Sequence, residues 1–137
     1  MFTISAKGVY GLTAVLELAL SQNRGAVQIR DIAEAHDVPQ HYLEQLLVIL
    51  KKAGLVKSLR GARGGYMLAK TPSQIKVFDV LACLEGELEI VARRHRRGAL
   101  NFFWDKLENE LFGLLDMSLE ELILERQRAA KQLIYNI

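Results

Sequence analysis

Residues 28–68 read QIRDIAEAHDVPQHYLEQLLVILKKAGLVKSLRGARGGYML, and this stretch decides the fold. Ile29, Ile32, Ala33 and Val38 place apolar groups at helical spacing, with Arg30, Asp31 and Glu34 on the other face, which predicts a short helix. Asp37-Val38-Pro39 then breaks it, because proline disfavours helix in the residue before it and suits the first position of a following helix. A second helix is expected over 39–53. Its apolar positions Leu43, Leu46, Leu47 and Leu50 face a core, leaving Gln40, His41, Glu44, Gln45, Lys51 and Lys52 mostly outward. Gln and His can hydrogen-bond base edges, Glu can accept from cytosine and Lys suits phosphates, so the face fits a major groove. A merely solvated helix would carry similar residues, and the next segment separates the two readings.

Ala53-Gly54 ends the helix, Leu55-Val56 opens a strand, and Tyr66-Met67-Leu68 reads as the returning strand of a hairpin. Between them lie Lys57, Ser58, Arg60, Gly61, Arg63, Gly64 and Gly65. Glycines permit positive φ and close approach to a ligand, and arginines can grip phosphates or enter a minor groove. A basic, glycine-rich hairpin directly after a candidate recognition helix is a wing. The fold class expected is mostly α with a small β-hairpin, a winged helix-turn-helix followed by long C-terminal helices.

Three blocks of sequence carry a family resemblance: Ile4 to Leu12, His41 to Leu47 and Gly54 to Tyr66. Over residues 1–86 the chain resembles the Rrf2 family of bacterial winged-helix transcription regulators, closest in type to cluster-free members such as the cysteine-metabolism repressor. The resemblance implies a homodimer on operator DNA, with Tyr42, Glu44 and Gln45 on the reading helix and Ser58, Arg60 and Gly61 in the wing contact. Cluster-binding members carry three cysteines in the loop after the helix that ends here at Gly86, whereas the corresponding loop, 87–98, contains none. A cysteine-ligated cluster needs several thiolates, and this chain has only Cys83, read as a packed thiol between Val80, Leu81 and Leu84. No cofactor and no metal site are expected.

With 137 residues, half of them hydrophobic, the chain suits one domain or a domain with an appendage. A single cysteine fits a reducing compartment, no run is apolar enough for a membrane helix, and the start lacks a secretory signal, so a cytoplasmic location is expected. The net charge of +2 conceals an asymmetry. Residues 1–76 hold ten Lys or Arg against five Asp or Glu, net +5, and the rest hold eight against eleven, net −3. That is a basic module joined to a part that does not touch DNA.

A first helix is expected over Lys7–Ser21, completing a three-helix core and contacting phosphates through Ser5 and Lys7. Thr71-Pro72-Ser73-Gln74 has a capping-box outline, with proline inside the start of a helix running towards Leu84. Residues 87–98 form a linker with the basic run Arg93-Arg94-His95-Arg96-Arg97, open to three readings: a solvated loop, an anion or acidic-effector site, or an extra phosphate contact. Leu100–Leu115 places Phe103, Leu107, Leu111, Leu114 and Leu115 on one helix face, broader than a small winged helix can cover alone, so residues 99–137 are assigned to dimerisation. Ser118 to Glu121 is a second capping box opening a last helix to about Gln132, and the apolar end 133–137 is expected to pack on a partner.

No nucleophile with a partnered base, phosphate loop before a helix or carboxylate pair in a known motif occurs, so an enzyme is not expected. The function expected is a homodimeric, cluster-free transcriptional repressor that reads an imperfect palindrome in double-stranded DNA and is open to a protein or small-molecule effector. The alternative is a winged-helix interaction module, or a regulator controlled by a partner enzyme, with weak or no DNA binding of its own.

Overall fold

The computed structural model describes residues 3–135. Met1, Phe2, Asn136 and Ile137 lie outside them, so the expected packing of the 133–137 tail falls partly outside the described residues. Three helices open the chain: α1 (Ala6–Leu20), α2 (Ile29–His36) and α3 (Gln40–Lys52). The turn between α2 and α3 follows from its three residues. Asp37 adopts φ 52°, a left-handed conformation that Asp tolerates, which lets the Val38 N–H bond back to the Ala33 carbonyl at 3.0 Å. Val38 is thereby buried, and Pro39, extended, precedes α3 rather than entering it. The second helix of the expected pair is therefore 40–52, one residue shorter at each end than expected.

After α3 come β1 (Val56–Leu59) and β2 (Gly65–Leu68), antiparallel with Val56 opposite Leu68 and Leu59 opposite Gly65. Val27 adds a third short edge that the sequence does not announce, exchanging two backbone bonds of 2.8 Å with Tyr66. The helix expected from Pro72 onward is corrected by the structure. Residues 72–74 make only one 3-10 turn, Ile75 and Lys76 run extended, and α4 is Val77–Glu85. Its start is set instead by Asp79, whose carboxylate accepts from the Lys76 N–H at 2.9 Å. The extended Ile75 puts its side chain fully into the core, which a continuous helix would not do.

Leu18, Leu43, Leu46, Leu47, Leu50, Val56, Ile75 and Val80 are all nearly inaccessible to solvent and form one core across α1, α3, β1 and α4. α1 and α4 close tightly because Gly11 has no side chain: a Cβ there would stand 2.0 Å from a Leu84 methyl. Two further helices follow, α5 (Asn101–Leu115) and α6 (Leu119–Tyr135). The capping box at the head of α6 is present, with Ser118 N–H to Glu121 at 3.2 Å and Glu121 N–H to Ser118 Oγ at 3.1 Å. Leu119 at this point belongs to the first-half core: it is 0% exposed, and its N–H bonds the Ile75 carbonyl at 2.9 Å.

Candidate nucleic-acid interface

The polar face of α3 emerges as the leucine spacing dictates. Burying Leu43, Leu46, Leu47 and Leu50 turns Gln40, His41, Glu44 and Gln45 to solvent across the first two turns. His41 and Gln45, one turn apart, touch through His41 Nε2 and Gln45 Nε2 at 3.3 Å. Tyr42 differs from its neighbours. Its ring is half-buried and meets Tyr10 of α1 edge-on, with centroids 6.0 Å apart, so part of this side chain serves the core.

The wing tip is exposed at Arg60, Gly61, Ala62 and Arg63, and its turn is closed by the Gly64 N–H to the Gly61 carbonyl at 3.0 Å. Strand alternation separates the other two wing residues. Lys57 is exposed, while the neighbouring Ser58 is half-buried on the opposite face. Ser58 Oγ accepts from Lys51 Nζ at 2.7 Å, a bond that ties the end of α3 to the wing. Sequence reasoning placed Lys51 merely outward and did not foresee this link. Gln40, from the first turn of α3, lines one hollow of about 330 Å³ together with Leu59, Gly61 and Gly64 of the wing. α3 and the wing thus border a single concave surface.

Ser5 and Lys7 stand at the head of α1, both exposed. Ser5 is engaged within the molecule. Its N–H and its hydroxyl donate to Glu85 Oε1 at 2.9 and 2.7 Å, and the Gly8 N–H reaches the same oxygen at 3.0 Å. Glu85, the last residue of α4, therefore caps α1 from a distance of eighty residues in sequence. The Ser5 hydroxyl bond, aided by the two N–H groups, holds this carboxyl below the usual carboxylate range. Only a fold that brings α1 and α4 together could reveal that pairing.

The loop after Gly86 is ordered by ionic contacts. Arg96 bonds Asp105 at 3.0 Å, also pairs with Glu108, and its Nε donates to the Val91 carbonyl at 3.3 Å. Although partial burial opposes ionisation of Glu108, its bonds from Arg96 and the Ile90 N–H hold its carboxyl below the ordinary value. Arg93, Arg94, His95 and Arg97 remain exposed. On α5, Leu107, Leu111 and Leu115 are half-covered, while Phe103 and Leu114 lie open.

Comparison with known proteins identifies the family. Residues 4–125 match the Rrf2 family, described as iron-dependent transcriptional regulators. The chain is 40% identical over 121 residues to the helix-turn-helix regulator CymR of Bacillus subtilis, covering 87% of this chain and 88% of that one. It is 36% identical over 128 residues to the regulator IscR of Photorhabdus laumondii, covering 88% and 78%. The solved structure of B. subtilis CymR, described as the global cysteine regulator, superposes with a TM-score of 0.79 at 39% identity over 89% of this chain and 96% of that one. Such relatives are transcriptional regulators, not enzymes.

The iron in the family description does not fit the donors present. Residues 86–100 hold no cysteine, and Cys83 lies on α4, with Sγ 3.8 Å from the Ile49 carbonyl and its thiol pushed up by burial. Among the described residues, no group of three or more His, Cys, Asp or Glu is placed to hold a metal ion. Nor is any helix among them long and apolar enough to cross a membrane.

Proposed function

The chain belongs to the Rrf2 family of DNA-binding transcriptional regulators, and on that premise we propose that it acts as a homodimeric, cluster-free repressor in the cytoplasm. The observation that carries this reading is the concave surface shared by Gln40 of α3 and the Leu59–Gly64 turn of the wing. In this arrangement α3 enters a major groove, where Gln40, His41, Glu44 and Gln45 address base edges and the exposed edge of Tyr42 meets the backbone. Arg60 and Gly61 approach the adjacent minor groove, while Lys7, Lys57 and Arg63 supply phosphate attraction that carries no sequence information. Ser5 acts through Glu85, by fixing the head of α1.

A twofold follows from the C-terminal helices. Phe103, Leu107, Leu111, Leu114 and Leu115 of α5 present an apolar face that a second copy covers, and two recognition helices so related read an imperfect palindrome. The functional division is residues 1–86 for DNA, 87–98 as a loop open to a protein or small-molecule effector, and 99–137 for dimerisation. In place of cluster ligands, Arg96 holds that loop through Asp105 and Glu108.

The test is selection of bound sequences from a random duplex pool, with iron assayed in the same anaerobic preparation. Iron-free protein should enrich a palindromic motif. Failure to enrich any motif, or stoichiometric bound iron, would overturn the reading.

A further inference from the structure

On the far side of the wing lies a second hollow of about 520 Å³, bordered by Arg24, Arg30, Asp31, Leu59, Arg63 and Gly64. It shares Gln28, Arg30, Leu59 and Gly64 with the hollow beneath Gln40 and Gly61, so the two form one trough. That trough runs from the first turn of α3, past the wing, to the 3-10 turn at residues 22–24. Its outer half carries three guanidiniums against one carboxylate. Among the described residues, neither Arg24 nor Arg63 is in an ion pair, and Arg30 has only a 3.9 Å contact to an exposed Asp31 and a 3.3 Å bond to Gln28. Exposed pairs of that kind hold an arginine weakly, which leaves all three guanidiniums available.

The two walls are held at a fixed separation. Val27, between Arg24 and Arg30, exchanges 2.8 Å backbone bonds with Tyr66 of β2. The join is close because residue 65 is glycine, where a Cβ would stand 2.3 Å from the Val27 carbonyl oxygen at a φ of +142°. The backbone of segment 24–30 is therefore tied to β2, which sets Arg24 and Arg30 on one wall of the trough and Arg63 on the other.

We propose that this trough grips the DNA backbone, with Arg24 and Arg30 joining Arg63 on phosphodiester oxygens beside the base pairs read by α3. The inference rests on the DNA-reading function proposed above and enlarges each protomer's footprint towards the far side of the wing. Guanidinium forks match phosphate oxygens and stay charged, and the first helix of a helix-turn-helix crosses the backbone while the second reads bases. Contacts of this kind fix register and add affinity without choosing sequence.

The test uses the full chain and two duplexes, one enriched by the wild-type protein and one scrambled, with affinity followed by fluorescence anisotropy across a salt series. Arg24→Gln with Arg30→Gln should weaken both duplexes by the same factor, roughly tenfold or more at low salt. The plot of log affinity against log salt should become shallower by about 0.9 for each phosphate that the variant no longer neutralises. An unchanged slope in the double variant would overturn the proposal, as would a loss confined to the enriched duplex. Wild-type protein that binds neither duplex would instead overturn the DNA-reading function itself, and needs no variant to be seen.

Discussion

Among the described residues, every buried apolar side chain except Leu119 lies before Gly86, whereas α5 runs for fifteen residues without burying one. The first region closes on itself: α1, α3, β1 and α4 fill a continuous core with leucine, isoleucine and valine. The second leaves Phe102 73% and Leu114 62% exposed, and α6 beyond Leu119 has no buried residue. The difference teaches that the two halves obtain stability from different sources. One fills its own core, and the other, pinned to that core at Leu119, leaves an apolar face that the homodimer proposed above would cover.

The sharpest way to break this contrast is to remove a leucine from each half. Leu47→Ala, at a site with no solvent exposure, should cost about 2–5 kcal/mol in denaturant unfolding, independent of protein concentration. Leu111→Ala should show its cost only through concentration, with a midpoint that falls as the protein is diluted. Next in size, Phe103→Asp with Leu114→Asp should raise the dimer dissociation constant at least about 100-fold, or about 3 kcal/mol, in sedimentation velocity, with helical content retained. If that variant remained a dimer, the α5 face would not be the interface.

Within residues 1–86, Arg60→Ala or Gln45→Ala should each cost about 1–3 kcal/mol on the enriched duplex and relax preference at one position per half-site. A pure interaction module would keep its function after both changes. The smallest effect belongs to Glu85→Gln, which keeps the shape but removes the charge that Ser5 and Gly8 bond. Thermal unfolding near neutral pH should lose about 1 kcal/mol after solvent screening. The Glu85 carboxyl is held below its ordinary value by those bonds, so its contribution is complete above the usual carboxylate range and lost as pH falls through the folded-state value. Wild type and variant should therefore converge in acid.

How much of this was legible in the sequence follows from the range of each interaction. The helix-turn-helix and wing could be read because their signals are local: leucine spacing in α3, the Asp37-Val38-Pro39 break, glycines in the hairpin. The second capping box was legible for the same reason, with Ser118 and Glu121 three residues apart. Pro72 misled, because a capping outline fits a single 3-10 turn as well as a helix, and the choice was made by burial of Ile75. The Val27–Tyr66 bridge, the Glu85 cap on α1 and the Lys51–Ser58 bond join residues whose proximity only the folded chain creates. The outward-facing residues of α3 followed from the leucine spacing, yet Tyr42 is divided between surface and core in a way that spacing alone does not foretell.

The most direct test of the whole account is the mass in solution of the complex formed with an enriched duplex, measured by light scattering at several protein concentrations. The account predicts two chains on each palindromic duplex and one assembly of that mass across the range. One chain per duplex, or a protein that stays free of DNA, would contradict it.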